Sequence, residues 1–346
     1  MRLTAADRSK FGGDFVKFGI IGSAHGHVFE FVENMLDAGA EFCGVCEDGT
    51  ENTKKLCARY GVPAVDEPEE LFAAGIEAAG CFGPCCERIK ALEQCAAHGV
   101  HVMGDKPLVI DRAGLERLEA VMAGGRIQIG MMLTVRFMPC IAALKELLDG
   151  GAIGSLVHME MLNPHKLSPS RRPDWHFKRE EGGSVAADLL THSVDLFRWL
   201  TNRSPIEAMS ASVSKSILPE KPDFFDLAAA QVRTESKVTG YFRSDWLMAE
   251  GHWNWGDMRI FCVGTKGCIE VRATGDPLTR RPEVILYSPE AETHAVPLPA
   301  QAGNATCDFL GRIAGKPHCI TQEDVLLTCR TCVALDGQAK QIRRMD

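Results

Sequence analysis

Hydrophobic positions along this chain switch between two periods in a regular order. An apolar run at 16–21, charged only at Lys17, ends in Gly22-Ser23-Ala24-His25-Gly26-His27. Val28, Phe31, Val32, Met35 and Leu36 then recur on one helical face, and Gly39 stands where that helix would stop. The alternation continues with a strand at 40–46, a helix around Leu56 ending before Gly61-Val62-Pro63, a short strand at 64–65 and a short helix and turn at 69–75. A strand at 76–82, a helix at 87–98, a strand at 99–104, a helix at 111–123 and an extension at 127–132 complete the series. Short apolar strands alternating with helices of about 10 to 15 residues predict βαβ units, and so an α/β chain that begins with a doubly wound parallel sheet.

The pattern changes from about Pro139. Ile141, Leu144, Leu147 and Leu148 form a helical stripe ending at Gly150-Gly151, a strand follows at 156–161, and helical periodicity runs from Ser184 to Leu200. Alternating or β-branched runs at 206–217, 228–238, 239–246, 258–263, 268–272 and 284–287 predict a large, open, mostly antiparallel sheet. Helical pattern returns at 307–315 and 322–343. The expected organisation is a first domain over 1–135 and an α+β domain over 136–346, with the C-terminal helix returning toward the first.

Composition narrows the function. With 346 residues the chain can bury two cores, and a net charge of -8 with dispersed Lys and Arg excludes a nucleic-acid partner. There is no apolar stretch long enough to span a bilayer, and the first ten residues lack the apolar run of a secretory signal, so no membrane role is expected and the cytoplasm is the expected compartment. Of the 14 cysteines, Cys81, Cys85, Cys86 and Cys95 form one group and Cys329 and Cys332 one C-x-x-C; neither supplies two well-spaced ligand pairs. They read as free thiols, and no metal site is expected.

The candidate chemistry lies at the ends of strands. A strand, a tight turn and a helix start over 19–27 form the arrangement that binds a dinucleotide pyrophosphate, although G-x-G-x-x-G counted from Gly22 meets Ala24 and His27 at its second and third glycines. Gly22, Ser23, Ala24, His25 and His27 are therefore candidate cofactor contacts. Glu47, at the tip of the second strand, would accept both ribose hydroxyls and repel a 2′-phosphate, which favours NAD over NADP; an acid there is also an ordinary solvated turn residue. Gly83 and Lys106 fall at the same carboxyl edge of the sheet. Lys106, directly before Pro107, can hold a hydroxyl or carbonyl oxygen beside a nicotinamide, or simply be a surface lysine in a turn.

Further along, Asp188 and His192 stand four apart on one helical face, with Asp195 three beyond. Histidine can take and return a proton near neutrality, and a neighbouring carboxylate can orient it or bind a substrate hydroxyl; the plainer reading is a satisfied, partly buried polar pair. His165, Arg171, Arg172, Asp174 and Trp175, in the loops before this helix, are placed to bind a polyol or to pack a subunit contact. The Trp246, His252, Trp253, Asn254, Trp255 cluster suits carbohydrate rings or an interface equally.

These residues carry a resemblance. Gly19-Ile20-Ile21-Gly22, Asp105-Lys106-Pro107-Leu108, Arg136-Phe137-Met138-Pro139, the segment from Gly182-Gly183 through Asp188, His192 and Asp195 to Trp199-Leu200, and Gly264-Thr265-Lys266-Gly267 occur in the order seen in one family. The chain resembles the glucose-fructose oxidoreductase / inositol dehydrogenase / MocA-type family of NAD(P)-dependent oxidoreductases over nearly its whole length. The resemblance implies a Rossmann-type first domain and an α+β domain whose open sheet packs against another subunit in a homodimer or homotetramer. It implies a sugar, inositol or related polyol as substrate. It gives catalytic roles to Lys106, His192 and Asp188, with His192 removing the hydroxyl proton and Lys106 stabilising the oxygen, and makes Asp188 and His192 candidate substrate contacts; Arg136 at the domain crossing and His165 and Trp175 in the preceding loops join them as candidates. Around Gly83-Pro84-Cys85 and Arg88 the family has Thr-Pro-Asn and a histidine, so Gly83, Pro84 and Arg88 are expected near the cofactor in altered form. Two other readings stand beside a dehydrogenase: an NAD-assisted glycoside hydrolase and a non-catalytic dinucleotide-binding protein.

Overall fold

In the computed structural model, which describes residues 16–46, 48–301 and 303–343, the chain divides into two units. The first takes its described residues from 16–132, 180–182 and 303–326, and the second from 133–179, 183–302 and 327 onward.

The first unit is built on six parallel strands, β1 (Lys17–Ile21), β2 (Glu41–Cys46), β3 (Ala64–Val65), β4 (Ala78–Cys81), β5 (His101–Gly104) and β6 (Ile129–Met131), in the order β3-β2-β1-β4-β5-β6. The order reverses beside β1, whose neighbours are β2 and β4, and that crevice is where open α/β sheets bind ligands. The intervening helices are α1 (His27–Asp37), α2 (Glu51–Tyr60), α3 (Pro68–Ala73), α4 (Cys85–His98) and α5 (Arg112–Ala123). Their ends follow from sequence. Thr50 and Asp111 cap α2 and α5 by accepting from Thr53 and Gly114, while Gly61 and Gly99 close α2 and α4 in the left-handed region. The stripe of α1 buries Val28, Phe31, Val32 and Met35 completely, and Phe18 of β1 stacks on Phe42 of β2 with centroids 4.8 Å apart. Each such side chain contributes roughly 1.5–3 kcal/mol by leaving water.

The second unit carries nine strands in the order β14-β13-β12-β11-β7-β10-β9-β8-β15. They are β7 (Leu156–Pro164), β8 (Ile206–Lys215), β9 (Leu227–Thr234), β10 (Thr239–Asp245), β11 (Arg259–Gly264), β12 (Cys268–Arg272), β13 (Glu283–Ser288), β14 (Ala291–Ala295) and β15 (Lys340–Arg343). All neighbours are antiparallel except β7 with β10 and β8 with β15, in keeping with the mostly antiparallel sheet expected. The helices α6 (Pro139–Asp149) and α7 (Val185–Leu200) belong to this unit, and α7 lies against β9 and β10, with Phe197 edge-on to Phe242 at 5.4 Å. Two later helices, α8 (Ala305–Ile313) and α9 (Gln322–Gly337), follow the sheet, and Phe309 and Leu310 of α8 join the core around β1 and α1.

One element departs from expectation. The helix expected over 322–343 stops at Gly337, and residues 340–343 form β15 against β8. Every residue of β15 and of β14 is exposed, so neither buries the alternating face that would mark a strand; both are held by backbone pairing at the two edges of the sheet. The cysteines are free thiols, and burial pushes Cys140 up to about 11 and Cys332 up to about 12, which keeps both protonated near neutrality. No helix among the described residues is long and apolar enough to cross a membrane.

Candidate functional site

The turn after β1 is shaped by close backbone approach. Gly22 has φ +82°, and a Cβ there would stand 2.9 Å from the Gly83 backbone. Phe82 donates its N–H to Gly22 O at 3.0 Å, and His25 donates to Phe82 O at 2.8 Å, which ties the turn to the end of β4. Ala24 thus sits in a turn packed closely against the Gly83 backbone. Beyond it α1 starts after Gly26 with no side-chain cap, His25 Nδ1 lies 3.4 Å from the first helical N–H at His27, and among the described residues nothing lies within 4 Å of where a Gly26 Cβ would stand. An open helix start with its positive dipole end fits the pyrophosphate of a dinucleotide.

The acid that reaches this turn is Asp48; Glu47, which sequence reasoning selected, lies outside the described residues. Asp48 Oδ2 accepts from Ser23 N at 2.5 Å and Ser23 Oγ at 3.0 Å, while Oδ1 accepts from Thr50 Oγ1 at 2.7 Å and Thr53 Oγ1 at 2.6 Å. Burial would raise the Asp48 carboxyl, but donation from Thr53, Ser23 and Thr50 outweighs it and holds the group below its usual value. Ser23 is fully buried in this knot, and the signal for it was the pair of hydroxyls at Thr50 and Thr53 immediately after the strand tip.

A second carboxylate, Asp105, organises the end of β5. It is wholly buried, with Oδ2 2.6 Å from His25 Nδ1 and Oδ1 2.9 Å from His27 Nδ1, and Oδ1 also accepts from Lys106 N at 2.8 Å. The Arg88 guanidinium stands 3.6 Å from Oδ2 and donates to Gly83 O at 3.0 Å and Pro107 O at 2.8 Å, which joins the turns after β4 and β5. Desolvation opposes the charge on Asp105, yet His25, His27 and Arg88 hold its carboxyl well below the ordinary range. Desolvation lowers the His25 pKa despite the attraction of Asp105. His25, His27 and Asp105 are also a group that could hold a metal ion. Their spacings are those of hydrogen bonds, shorter than the roughly 3.3 Å between donor atoms at about 2.0 Å from a tetrahedral zinc. Sequence reasoning read Asp105 as a shortened glutamate and missed it as the hub of two imidazoles.

In the second unit, Ser184 caps α7 by accepting from Ala187 N at 3.0 Å, which sets the first turns carrying Asp188 and His192. His192 is buried and Asp188 half-buried, one helical turn apart. Arg136 lies inside the protein. Its Nε and Nη2 donate to Asp195 at 2.8 and 2.5 Å, and the guanidinium stands 5.4 Å over Trp199, so this candidate substrate contact is placed in an internal ion pair.

His165 Nδ1 lies 3.0 Å from Asn163 O, and its ring meets Trp246 and Trp255 edge to face at 5.7 and 4.9 Å. Trp175 is half-buried in the turn Asp174–Phe177, its Nε1 without a hydrogen-bond partner among the described residues. Arg172 lies 4.7 Å over Trp246 and 4.9 Å over Trp255. Burial lowers its pKa, and the charge of Asp188 acts in the opposite sense. Of the expected residues, Gly22, His25, His27, Gly83, Pro84, Arg88 and Lys106 fall in the first unit, and Asp188, His192, His165 and Trp175 in the second.

Two family descriptions match the chain. Residues 16–127 match the oxidoreductase family with an NAD-binding Rossmann fold, and residues 141–270 match the GFO/IDH/MocA C-terminal domain. Among curated proteins, a myo-inositol dehydrogenase, Hyg17, of Streptomyces leeuwenhoekii is 26% identical over 72% of this chain and 75% of its own length. An inositol 2-dehydrogenase of Rhizobium meliloti is 24% identical over 77% and 81%. Among solved structures, one from Erwinia carotovora atroseptica superposes with a TM-score of 0.87 at 25% identity, over 94% of this chain and 99% of that one. KijD10, a 3-ketoreductase from Actinomadura kijaniata solved with NADP and TDP-benzene, shares the fold with a TM-score of 0.79 at 18% identity, over 96% and 100%.

Proposed function

Since the chain belongs to the GFO/IDH/MocA family of oxidoreductases with an NAD-binding Rossmann fold, we propose that it is an NAD-dependent dehydrogenase acting on a secondary alcohol of a sugar, inositol or related polyol. The observation that carries this reading is the buried His192 one turn from Asp188 on the capped helix α7. His192 takes the hydroxyl proton as the carbon–hydrogen bond gives up its hydride, and the alcohol becomes a ketone. Nicotinamide, when bound, supplies the hydride acceptor. Lys106 stabilises the developing oxyanion and, in reverse, polarises the carbonyl, while Asp188 holds a substrate hydroxyl. The inositol dehydrogenases among the relatives support a polyol substrate. The Asp48 carboxylate against the Ser23 amide, beside Glu47, supports NAD over NADP, because a 2′-phosphate brought to this strand tip meets negative charge.

A second copy of the chain is part of the proposal. Val157, Met209, Phe261 and Tyr287, on four strands of the nine-stranded sheet, are 36–51% exposed, a set of large side chains that a partner would cover. The activity is tested by incubating purified protein with NAD or NADP and free sugars, inositols and glycosides. Net NADH from a free polyol is expected; glycoside cleavage with no net NADH, or cofactor binding with no turnover across the panel, would replace the reading by a hydrolase or a binding protein.

A further inference from the structure

Resting on the dehydrogenase reading above, we propose that the second unit contains a carboxylate-recognition site centred on Arg172, and that the substrate is a sugar or polyol bearing an acidic group, of the uronate class.

The wall holding Arg172 is built. His165 donates its N–H to Asp245 O at 2.7 Å and Lys166 to Trp255 O at 2.9 Å. Ser168 N and Oγ donate to Glu250 at 3.2 and 3.0 Å. These bonds fix the segment 165–168 against the loop that carries Trp246 and Trp255. Trp246 is 4% exposed and Trp255 41%, so the first ring is anchored in the core while the second presents a face outward.

Arg172 occupies the space beside both rings. Its Nε donates to Leu167 O at 3.1 Å, and its guanidinium carbon lies within 5 Å of each indole centroid. Stacking and the single Nε bond set the plane of the guanidinium, and the two terminal nitrogens make no hydrogen bond or ion pair among the described residues. A half-buried arginine whose orientation is fixed from one edge and whose opposite edge carries unengaged donors is the geometry of bidentate oxyanion recognition. The contrast with Arg136 is direct: there the same fork is closed on Asp195.

The neighbouring charge selects among anions. Asp188 is the acid whose field acts on Arg172, and it stands on the helix that carries His192. One guanidinium balanced by one carboxylate accommodates a planar monoanion better than a phosphate dianion, since each further negative charge adds repulsion from Asp188. The exposed Trp255 indole beside the fork suits the apolar face of a sugar ring.

Binding is read through tryptophan fluorescence of the NAD-saturated protein, titrated with aldohexuronates, their parent aldohexoses and the corresponding sugar phosphates. NADH formation is followed in parallel. The expected result is saturable quenching by a uronate with affinity about 10- to 100-fold above its parent sugar, the worth of one charge-assisted bidentate contact. Arg172→Gln removes that margin, and in Arg172→Lys, which keeps the charge without the fork, the margin falls between. Equal affinity for acid and parent sugar, tighter binding of the phosphate, or an unchanged margin in Arg172→Gln would overturn the proposal. Should the glutamine variant not fold, the wild-type margin and the lysine variant decide. A uronate that binds through Arg172 without NADH formation leaves the site standing and removes the dehydrogenase reading instead.

Discussion

Around the glycine turn of the first unit, charged groups answer one another: Asp48 takes up the Ser23 amide and three hydroxyls, and Asp105 takes up His25 and His27 beside Arg88. In the wall of the second unit, Arg172 is held by ring faces and one carbonyl, with its outer nitrogens unengaged among the described residues. A turn proposed to receive the cofactor's pyrophosphate must keep its shape, and the internal carboxylates hold it. A surface that discriminates between substrates needs donors in reserve, and aromatic stacking orients a cation without using them.

The largest expected effect breaks the chemistry. His192→Ala should lower kcat by about 10²- to 10⁴-fold with NAD affinity unchanged, as removal of a proton-transfer group does; equal loss of both by steady-state kinetics and cofactor titration would remove His192 from that role.

Next is Asp105→Asn, which deprives two imidazoles and Arg88 of their common anion and should destabilise the protein by about 3 kcal/mol in a denaturant titration. The pH dependence has a defined sign. A depressed Asp105 carboxyl contributes stability that is present above the ordinary carboxylate value and lost as pH falls through its folded value. His25, whose pKa is lowered, binds a proton more readily unfolded, so its share begins to be lost as pH falls below about 6.5. The wild type should therefore lose stability on acidification from about pH 6.5, steeply once the carboxylate range is passed, and Asp105→Asn should flatten the lower part. An equally steep variant would place the acid sensitivity elsewhere.

A smaller shift is expected in specificity. Asp48→Asn should improve NADP relative to NAD by about tenfold, near 1.4 kcal/mol; an unchanged ratio would assign discrimination to Glu47 alone. The smallest effect sharpens the support of α7: Ser184→Ala should cost about 1 kcal/mol through loss of the Ala187 bond, with the melting temperature as readout.

Much of this architecture was legible because burial leaves a period in the chain. The α1 stripe, the strand-to-turn joints at Gly22 and Gly83, and the Ser184 start of α7 could each be read from local spacing. β14 and β15 could not, since strands exposed along their whole length bury no alternating face. At the strand tip, Glu47 and Asp48 are equivalent acids in sequence; Thr50, Thr53 and Ser23 bring Asp48 to the turn, and Ser23 follows the end of the neighbouring strand, 25 residues earlier in the chain. Arg136 and Arg172 likewise look alike in the chain. Only the folded positions of Asp195 and of the two indoles show that one fork is closed and the other open.

The most direct measurement of the central claim is isotope transfer. The protein is incubated with NAD and a uronate or polyol deuterated at its carbinol carbons, and the reduced nicotinamide is examined by mass spectrometry. Hydride transfer from a substrate secondary alcohol predicts one deuterium in the reduced nicotinamide and a ketone in the sugar, both lost in His192→Ala. Sugar conversion that leaves no deuterium on the nicotinamide would contradict it.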